Sequence, residues 1–164
     1  MTPLLALAAL AGSVAVLPLA PAAPDMAYQV LPSRGELAAM TTQLRAGVGS
    51  ARVIDNARVA AAVRAAGFDQ SDYTRACVVA GCARRIGRAL HVKRVVFGTV
   101  TRLMAVVWST DVVLLDVSSG RTIAELQLGY KGDVLAMESG EQHAGACLMR
   151  RADGRPPCPP DPGW

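Results

Sequence analysis

The chain has few of the residues from which catalytic sites are usually built. Only two histidines, His91 and His143, occur in 164 residues, and aromatic residues make up 4% of the chain. The sequence has no P-loop, dinucleotide-binding fingerprint, nucleophile elbow, zinc-protease helix or EF-hand loop. His143 has Glu141 two residues away, but on a helix that carboxylate would face elsewhere. We therefore expect no enzymatic activity, no catalytic residue and no cofactor.

Runs of like charge are also missing. The sequence contains no block of five like charges and no basic run interleaved with aromatic residues. Lys and Arg together number 17 against 13 for Asp and Glu, which gives a net charge of +4. Because a surplus of this size is common in plain soluble domains, nucleic acid is not an expected partner.

No charged residue occurs from Leu4 to Leu19, where small and apolar residues dominate. A run of this length is typical of the apolar region of a secretory leader and is too short to span a bilayer comfortably. Ala20-Pro21-Ala22 follows as an A-x-A cleavage site. The sequence thus predicts a signal peptide at residues 1–22, a mature α/β domain at 23–151 and a proline-rich tail at 152–164.

The predicted leader has no Lys or Arg before its apolar run. This departure leaves open a membrane anchor or a wrongly assigned start as alternatives to a cleaved signal peptide. With cleavage, the protein would be periplasmic or secreted and would have no stable membrane span.

Four cysteines follow the predicted cleavage site: Cys77, Cys82, Cys147 and Cys158. An even number suits two disulfides in an oxidising compartment, and four cysteines allow three pairings. Spacing favours Cys77–Cys82 and Cys147–Cys158. The first bridge requires Cys77 to precede the helix, because five helical residues would turn the two side chains apart. Zinc is the alternative, but neither pair has the usual C-x2-4-C spacing, so we expect no metal site.

Apolar residues at spacings of three and four predict an amphipathic helix that begins at Arg34 and ends near Gly47 and Gly49. Further helices are expected near residues 56–67, near 79–90 and beyond Gly132. Short strands are expected at 27–31 and 52–55, followed by an antiparallel meander over 95–128 that turns at 116–120. Asp111 lies in this meander and is expected to face the solvated side of the sheet.

The polar segment Phe68–Arg75 and the helix after it hold the candidate ligand-binding residues. The candidates are Asp69, Asp72, Tyr73, Arg84, Arg85 and Arg88. The acidic loop, with Cys77 and Arg84 nearby, would suit a small ligand, and the three arginines would suit an anion. A solvated loop and a solvated helix face are the commoner outcomes for such patterns.

The order of several generic residues across this region resembles a known group of envelope proteins. The residues that show it are Cys77, Cys82, Gly87, Leu90, Val95, Val96, Gly98, Val100, Asp116, Gly120 and Gly132. The pattern resembles the amino-terminal domain of TolB, the CsgG-like proteins and the penicillin-binding-protein-activator lipoproteins. Within that group it is most similar to an uncharacterised family of secreted proteobacterial proteins. Two departures are Pro32–Gly35, where a polar or acidic cluster is common, and His91–Lys93, where Gly-Ala-Asp is usual.

The resemblance implies an α/β (α+β) fold in βαβαβββα order, with a mixed sheet packed by helices. It also implies an exported accessory protein that works through protein–protein contacts in the cell envelope. Two alternatives stay open: a periplasmic protein that binds a small ligand or metal, and an enzyme whose site the sequence does not reveal.

Overall fold

The computed structural model describes residues 13–49 and 52–158, and it centres on a mixed six-stranded sheet. The strands are β1 (Val14–Val16), β2 (Ala20–Pro21), β3 (Gln29–Val30), β4 (Arg94–Leu103), β5 (Val107–Asp116) and β6 (Thr122–Lys131). The helices of the described residues are α1 (Arg34–Val48), α2 (Asn56–Ala65), α3 (Ala80–Ala89) and α4 (Val134–Ala152).

The long strand β4 occupies the centre of the sheet. Along one side it pairs in succession with β1 and β2, both parallel, and with β3, which is antiparallel. Its other side pairs with β5, and β6 follows as the next antiparallel strand. The predicted meander is therefore confirmed. Gly98 allows close packing within it, because a Cβ there would lie 2.2 Å from the Asp111 carbonyl oxygen.

Helices cover both faces of the sheet. α1 and α4 pack on the face that carries Val96, Trp108 and Leu114, while α2 and α3 pack on the opposite face against Val95 and Leu115. The second pair covers only the start of β4 and the end of β5. Asp111 lies on that face beyond the two helices, half-buried, opposite Thr99 and Gln127. The predicted fold class, a mixed sheet packed by helices, is confirmed. The element order is βββαααβββα where βαβαβββα was expected, because the amino-terminal run supplies two strands and the strand expected at 52–55 does not form.

Local sequence signals account for where the helices begin. Ser33 and Glu36 form a reciprocal capping box at the start of α1. Asp55 accepts a hydrogen bond from the Arg58 amide to begin α2, and Asp133 caps α4 in the same way. Residues 52–55 differ from the prediction, since among them only Val53 forms a single bridge, to Val14.

The apolar amino-terminal run contributes two strands to the sheet. Val14–Val16 align with Arg94–Val96, and Ala20–Pro21 align with Thr99–Val100. Val14, Val16 and Leu17 are completely buried. The folded domain of the structure thus includes residues 13–22, which were predicted to belong to the leader. The leader itself remains a prediction, and residues 1–12 lie outside the described residues.

Both predicted disulfides are present. Cys77 joins Cys82 across a Cα–Cα distance of 5.7 Å, and Cys77 precedes α3 as that pairing requires. Cys147 of α4 joins Cys158 in the tail across 5.5 Å. The end of α4 also directs the tail backwards, because the Arg155 amide donates to the Arg150 carbonyl at 2.9 Å. Residues 159–164 lie outside the described residues.

Candidate functional site

The acidic residues of the 68–75 loop hold the loop together. The Asp69 carboxylate accepts hydrogen bonds from the amide and hydroxyl of Ser71, and Asp72 does the same for Thr74. These bonds lower the pKa of both carboxyls. Tyr73 is exposed. The arrangement is that of a solvated turn in which each carboxylate bonds to a residue of its own loop.

The arginines of α3 point to different places. Arg84 donates to the carbonyls of Val117 and Ser118 and so fixes the turn between β5 and β6. Arg85 donates to the Ala66 carbonyl and stacks over the Phe68 ring at 5.1 Å. Arg88 is exposed on the helix surface. The predicted set of binding residues is therefore not assembled, and Cys77 is buried in its disulfide.

The two histidines also lie apart. His91 follows α3 with a positive φ of 56°, as the turn residue that ends the helix. A nitrogen of the His143 ring lies within 4.8 Å of the sulfurs of Cys147 and Cys158. Because the two sulfurs are joined to each other in a disulfide, neither is a thiolate that could bind a metal.

Glu141 is a buried acidic residue whose burial was not predicted from the sequence. Glu141 of α4 is fully buried against the sheet, and neither carboxylate oxygen has a hydrogen-bond partner among the described residues. Burial raises the pKa of Glu141 to about 7, and the nearby Thr110 hydroxyl offsets this only in part. The helical spacing of Met137, Glu141 and Leu148 was the available signal, because it places Glu141 on the apolar face.

Exposed apolar side chains are concentrated at one end of the sheet. Among the described residues, nine large apolar side chains are exposed, and seven of them lie around β3, the β4–β5 turn and the start of α4. We call this surface the apolar end. Its residues are Met26, Tyr28, Val30, Leu31, Met104, Val106 and Leu135.

Backbone hydrogen bonds join the segments that form the apolar end. The Met104 amide donates to the Tyr28 carbonyl at 3.3 Å, which connects the β4–β5 turn to β3. The Gly132 amide donates to the Val106 carbonyl at 3.0 Å, which connects the same turn to the loop before α4. The seven side chains are thus presented on a hydrogen-bonded framework. Exposed apolar patches of this kind are often found at sites of protein–protein contact.

A cleft of about 520 Å³ opens beside the edge strand, where the chain passes from β1 to β2. One wall is a stripe of α1 that runs from Arg34 to Arg45, and the opposite wall includes Gln70 and Ser71. Its lining contains no Asp or Glu. We call it the arginine cleft.

No known protein family and no curated protein matches the sequence. Solved structures do match the fold. The C-terminal domain of LpoB from Salmonella enterica has a TM-score of 0.52 at 15% identity, covering 74% of this chain and 84% of that one. Lipoprotein GNA1162 from Neisseria meningitidis has a TM-score of 0.54 at 17% identity, covering 74% and 81% respectively.

TolB from Acinetobacter baumannii is a weaker match. Its TM-score is 0.46 at 14% identity, with 88% of this chain and 29% of TolB covered. At these identities the likeness concerns the fold alone. The mixed α/β fold is thus shared with LpoB and GNA1162, and no family assignment follows from sequence.

Proposed function

We propose that this protein is an exported, non-catalytic accessory protein of the cell envelope that binds another envelope protein through its apolar end. The two disulfides support a location outside the cytoplasm, since such bonds persist in oxidising compartments. Within the described residues, no helix combines the length and apolar character that crossing a membrane demands.

The concentration of exposed apolar side chains is the observation on which this proposal rests. Tyr28 is 58% exposed, Met104 57% and Val106 53%. Large apolar and aromatic side chains grouped on one surface are typical of the centre of a protein–protein interface. The partner surface should accordingly be apolar at its centre, so that both sides lose contact with water on binding.

A matched pair of valines allows a direct test. Val106 belongs to the apolar end, whereas Val79 is 62% exposed in the loop before α3. A glutamate at position 106 would place a charge inside the interface, where it must be desolvated without a partner. Cross-linked pull-downs from envelope extract, quantified by mass spectrometry, should recover the partner at least tenfold less well with Val106→Glu. Val79→Glu should recover it as the wild type does.

Two results would count against this proposal. Equal recovery by Val106→Glu and the wild type would mean that the apolar end is not the binding surface. If sedimentation velocity instead showed a wild-type dimer that Val106→Glu dissociates, with no envelope protein recovered by either, the surface would serve self-association. Unfolding curves of both variants are needed alongside, to show that each is folded.

A further inference from the structure

The arginine cleft has the charge and shape of a binding site, and it does not involve the apolar end. A second hollow of about 450 Å³ adjoins it, sharing Pro18, Gln70 and Ser71 with its lining. The second hollow adds Arg64, Arg75 and the single carboxylate Asp69. Four arginines and one acidic residue therefore line the two adjoining hollows, so a ligand of negative charge is favoured.

The arginines of the cleft form no ion pair among the described residues. The ion pairs found among the described residues join Arg52 to Asp153 and Arg102 to Glu36, all outside this site. The Asp55 carboxylate acts on Arg45 and the Asp69 carboxylate on Arg34 and Arg75, and both carboxylates also accept local hydrogen bonds. Asp55 accepts from the Arg58 amide at the start of α2, and Asp69 accepts from Ser71.

One nitrogen of the Arg45 guanidinium has no hydrogen-bond acceptor among the described residues. Its Nη2 donates to the Ile54 carbonyl at 2.7 Å, but its Nη1 is shielded from water and has no hydrogen-bond partner among the described residues. Burial lowers the pKa of Arg45, and the charge of the nearby Asp55 opposes this shift. If binding turns Nη1 toward the cleft, a ligand carboxylate would supply the missing acceptor.

The walls of the cleft are held in place before any ligand arrives. Gln70 donates to the carbonyls of Pro18 and Cys77 and accepts from the Cys77 amide at 2.6 Å. Across the cleft, the Thr41 hydroxyl accepts from the Leu19 amide at 2.9 Å. Binding to such a preformed site loses little conformational freedom.

The size and lining of the cleft narrow the class of ligand. Arg34 and Arg45 are eleven residues apart on one helix, about 16 Å along its axis. An extended peptide covers that distance in about five residues. The cleft is also lined by Leu19 and Leu37, which are apolar. We propose that the arginine cleft binds an extended acidic peptide segment whose two carboxylates lie four or five residues apart, with apolar residues between them.

Fluorescence anisotropy with a labelled six-residue peptide tests this directly. The peptide carries Glu at positions 1 and 5 with Leu and Ala between, and the reference peptide has Gln at both positions. Arg34→Gln and Arg45→Gln should each weaken binding of the acidic peptide about tenfold, because each removes a charge-assisted hydrogen bond. Arg58→Gln, an equal loss of charge on the exposed side of α2, should leave the affinity unchanged.

Each outcome decides the proposal. Loss of affinity in Arg34→Gln with retention in Arg58→Gln supports it. Arg34 is the safer site because its side chain acts on Asp69 only through its charge, whereas Arg45 also donates to the Ile54 carbonyl. If all three variants bound the acidic peptide equally weakly, the interaction would be nonspecific electrostatic attraction. Equal affinity for the Gln peptide, complete competition by millimolar inorganic phosphate, or no binding at all would overturn the peptide assignment.

Discussion

Glu141 lies between α4 and the sheet with its carboxylate removed from water. Because its pKa is raised to about 7 from an ordinary 4.5, the folded protein holds a proton there that the unfolded chain has already released. The unfolded state binds fewer protons between those two values, so the free energy of unfolding should fall as the pH rises through that window. A shift of this size corresponds to roughly 3 kcal/mol.

Glu141→Gln should remove this dependence, because glutamine is neutral at every pH. Urea unfolding at pH 4.5, 5.5, 6.5 and 8 would measure it: the variant should gain about 2–3 kcal/mol over the wild type at pH 8 and little at pH 4.5. Groups whose pKa is lowered, such as Asp116 with a pKa of about 2, titrate below the pH range in which Glu141 changes its protonation. Parallel stability curves for the two proteins would mean that Glu141 is solvated in the folded state.

At the scale of elements, the crossing of α1 and α4 depends on glycine. A Cβ at Gly145 would lie 2.3 Å from the Leu44 carbonyl oxygen, and one at Gly47 would lie 1.9 Å from that of Gln142. Both glycines look unfavourable for a helix when their sequence is considered alone. In the structure they permit the backbones of the two helices to approach closely.

Gly145→Ala should therefore destabilise the protein by about 2–3 kcal/mol, since rigid backbone atoms must move to admit the methyl group. Gly81→Ala is the matched control, because a Cβ there meets nothing within 4 Å in another helix, α3. Its stability should be unchanged or slightly higher. Chemical unfolding of both variants measures the difference, and equal stabilities would show that α1 and α4 can separate at little cost.

The long periodic elements and the short strand at 27–31 could be predicted, but the two strands of the amino-terminal run could not. Leu37, Met40 and Leu44 mark α1 because only one face of that helix is buried. The Leu4–Leu19 run has no such asymmetry, since a fully buried parallel strand and the apolar part of a leader have the same composition. Periodicity gave no way to separate them.

The candidate surfaces were harder to predict than the fold. β3 pairs with β4 over only two residues, so Tyr28 and Val30 look like strand residues in the sequence yet remain uncovered in the structure. The arginine cleft combines Arg34 of α1 with Gln70 of a distant loop. Nothing in local sequence shows that these two residues meet. The two disulfide pairings could be predicted because each closes a short loop.

At the scale of the whole molecule, the amino-terminal strands make the sheet complete. β1 and β2 run beside β4 for most of its length. Three residues, 17–19, connect β1 to β2, whereas only two residues of β4 separate the positions with which the two strands pair. Without them the centre of the sheet would have an open edge, and the core clusters on both faces would lose members, among them Val16 and Leu17.

Removal of residues 1–22 should therefore abolish the fold, whereas removal of residues 1–12 should not. Val14, Val16, Leu17 and Leu19 are at most 1% exposed. Burying four such side chains contributes roughly 6–12 kcal/mol, which is comparable to the whole stability of a domain. Near-UV circular dichroism and urea unfolding of chains 13–164 and 23–164 would distinguish the two, with a cooperative transition expected only for the longer one.

The same reasoning bears on export. If a leader directs this protein out of the cytoplasm, its cleavage must leave Val14–Pro21 attached, so the cut has to fall before Ser13 and not after Ala22. Intact mass measurement of the folded protein, purified from the periplasm, would locate the mature amino terminus. A folded protein that begins at Ala23 would contradict this, because the parallel strand beside Arg94–Val100 would be missing.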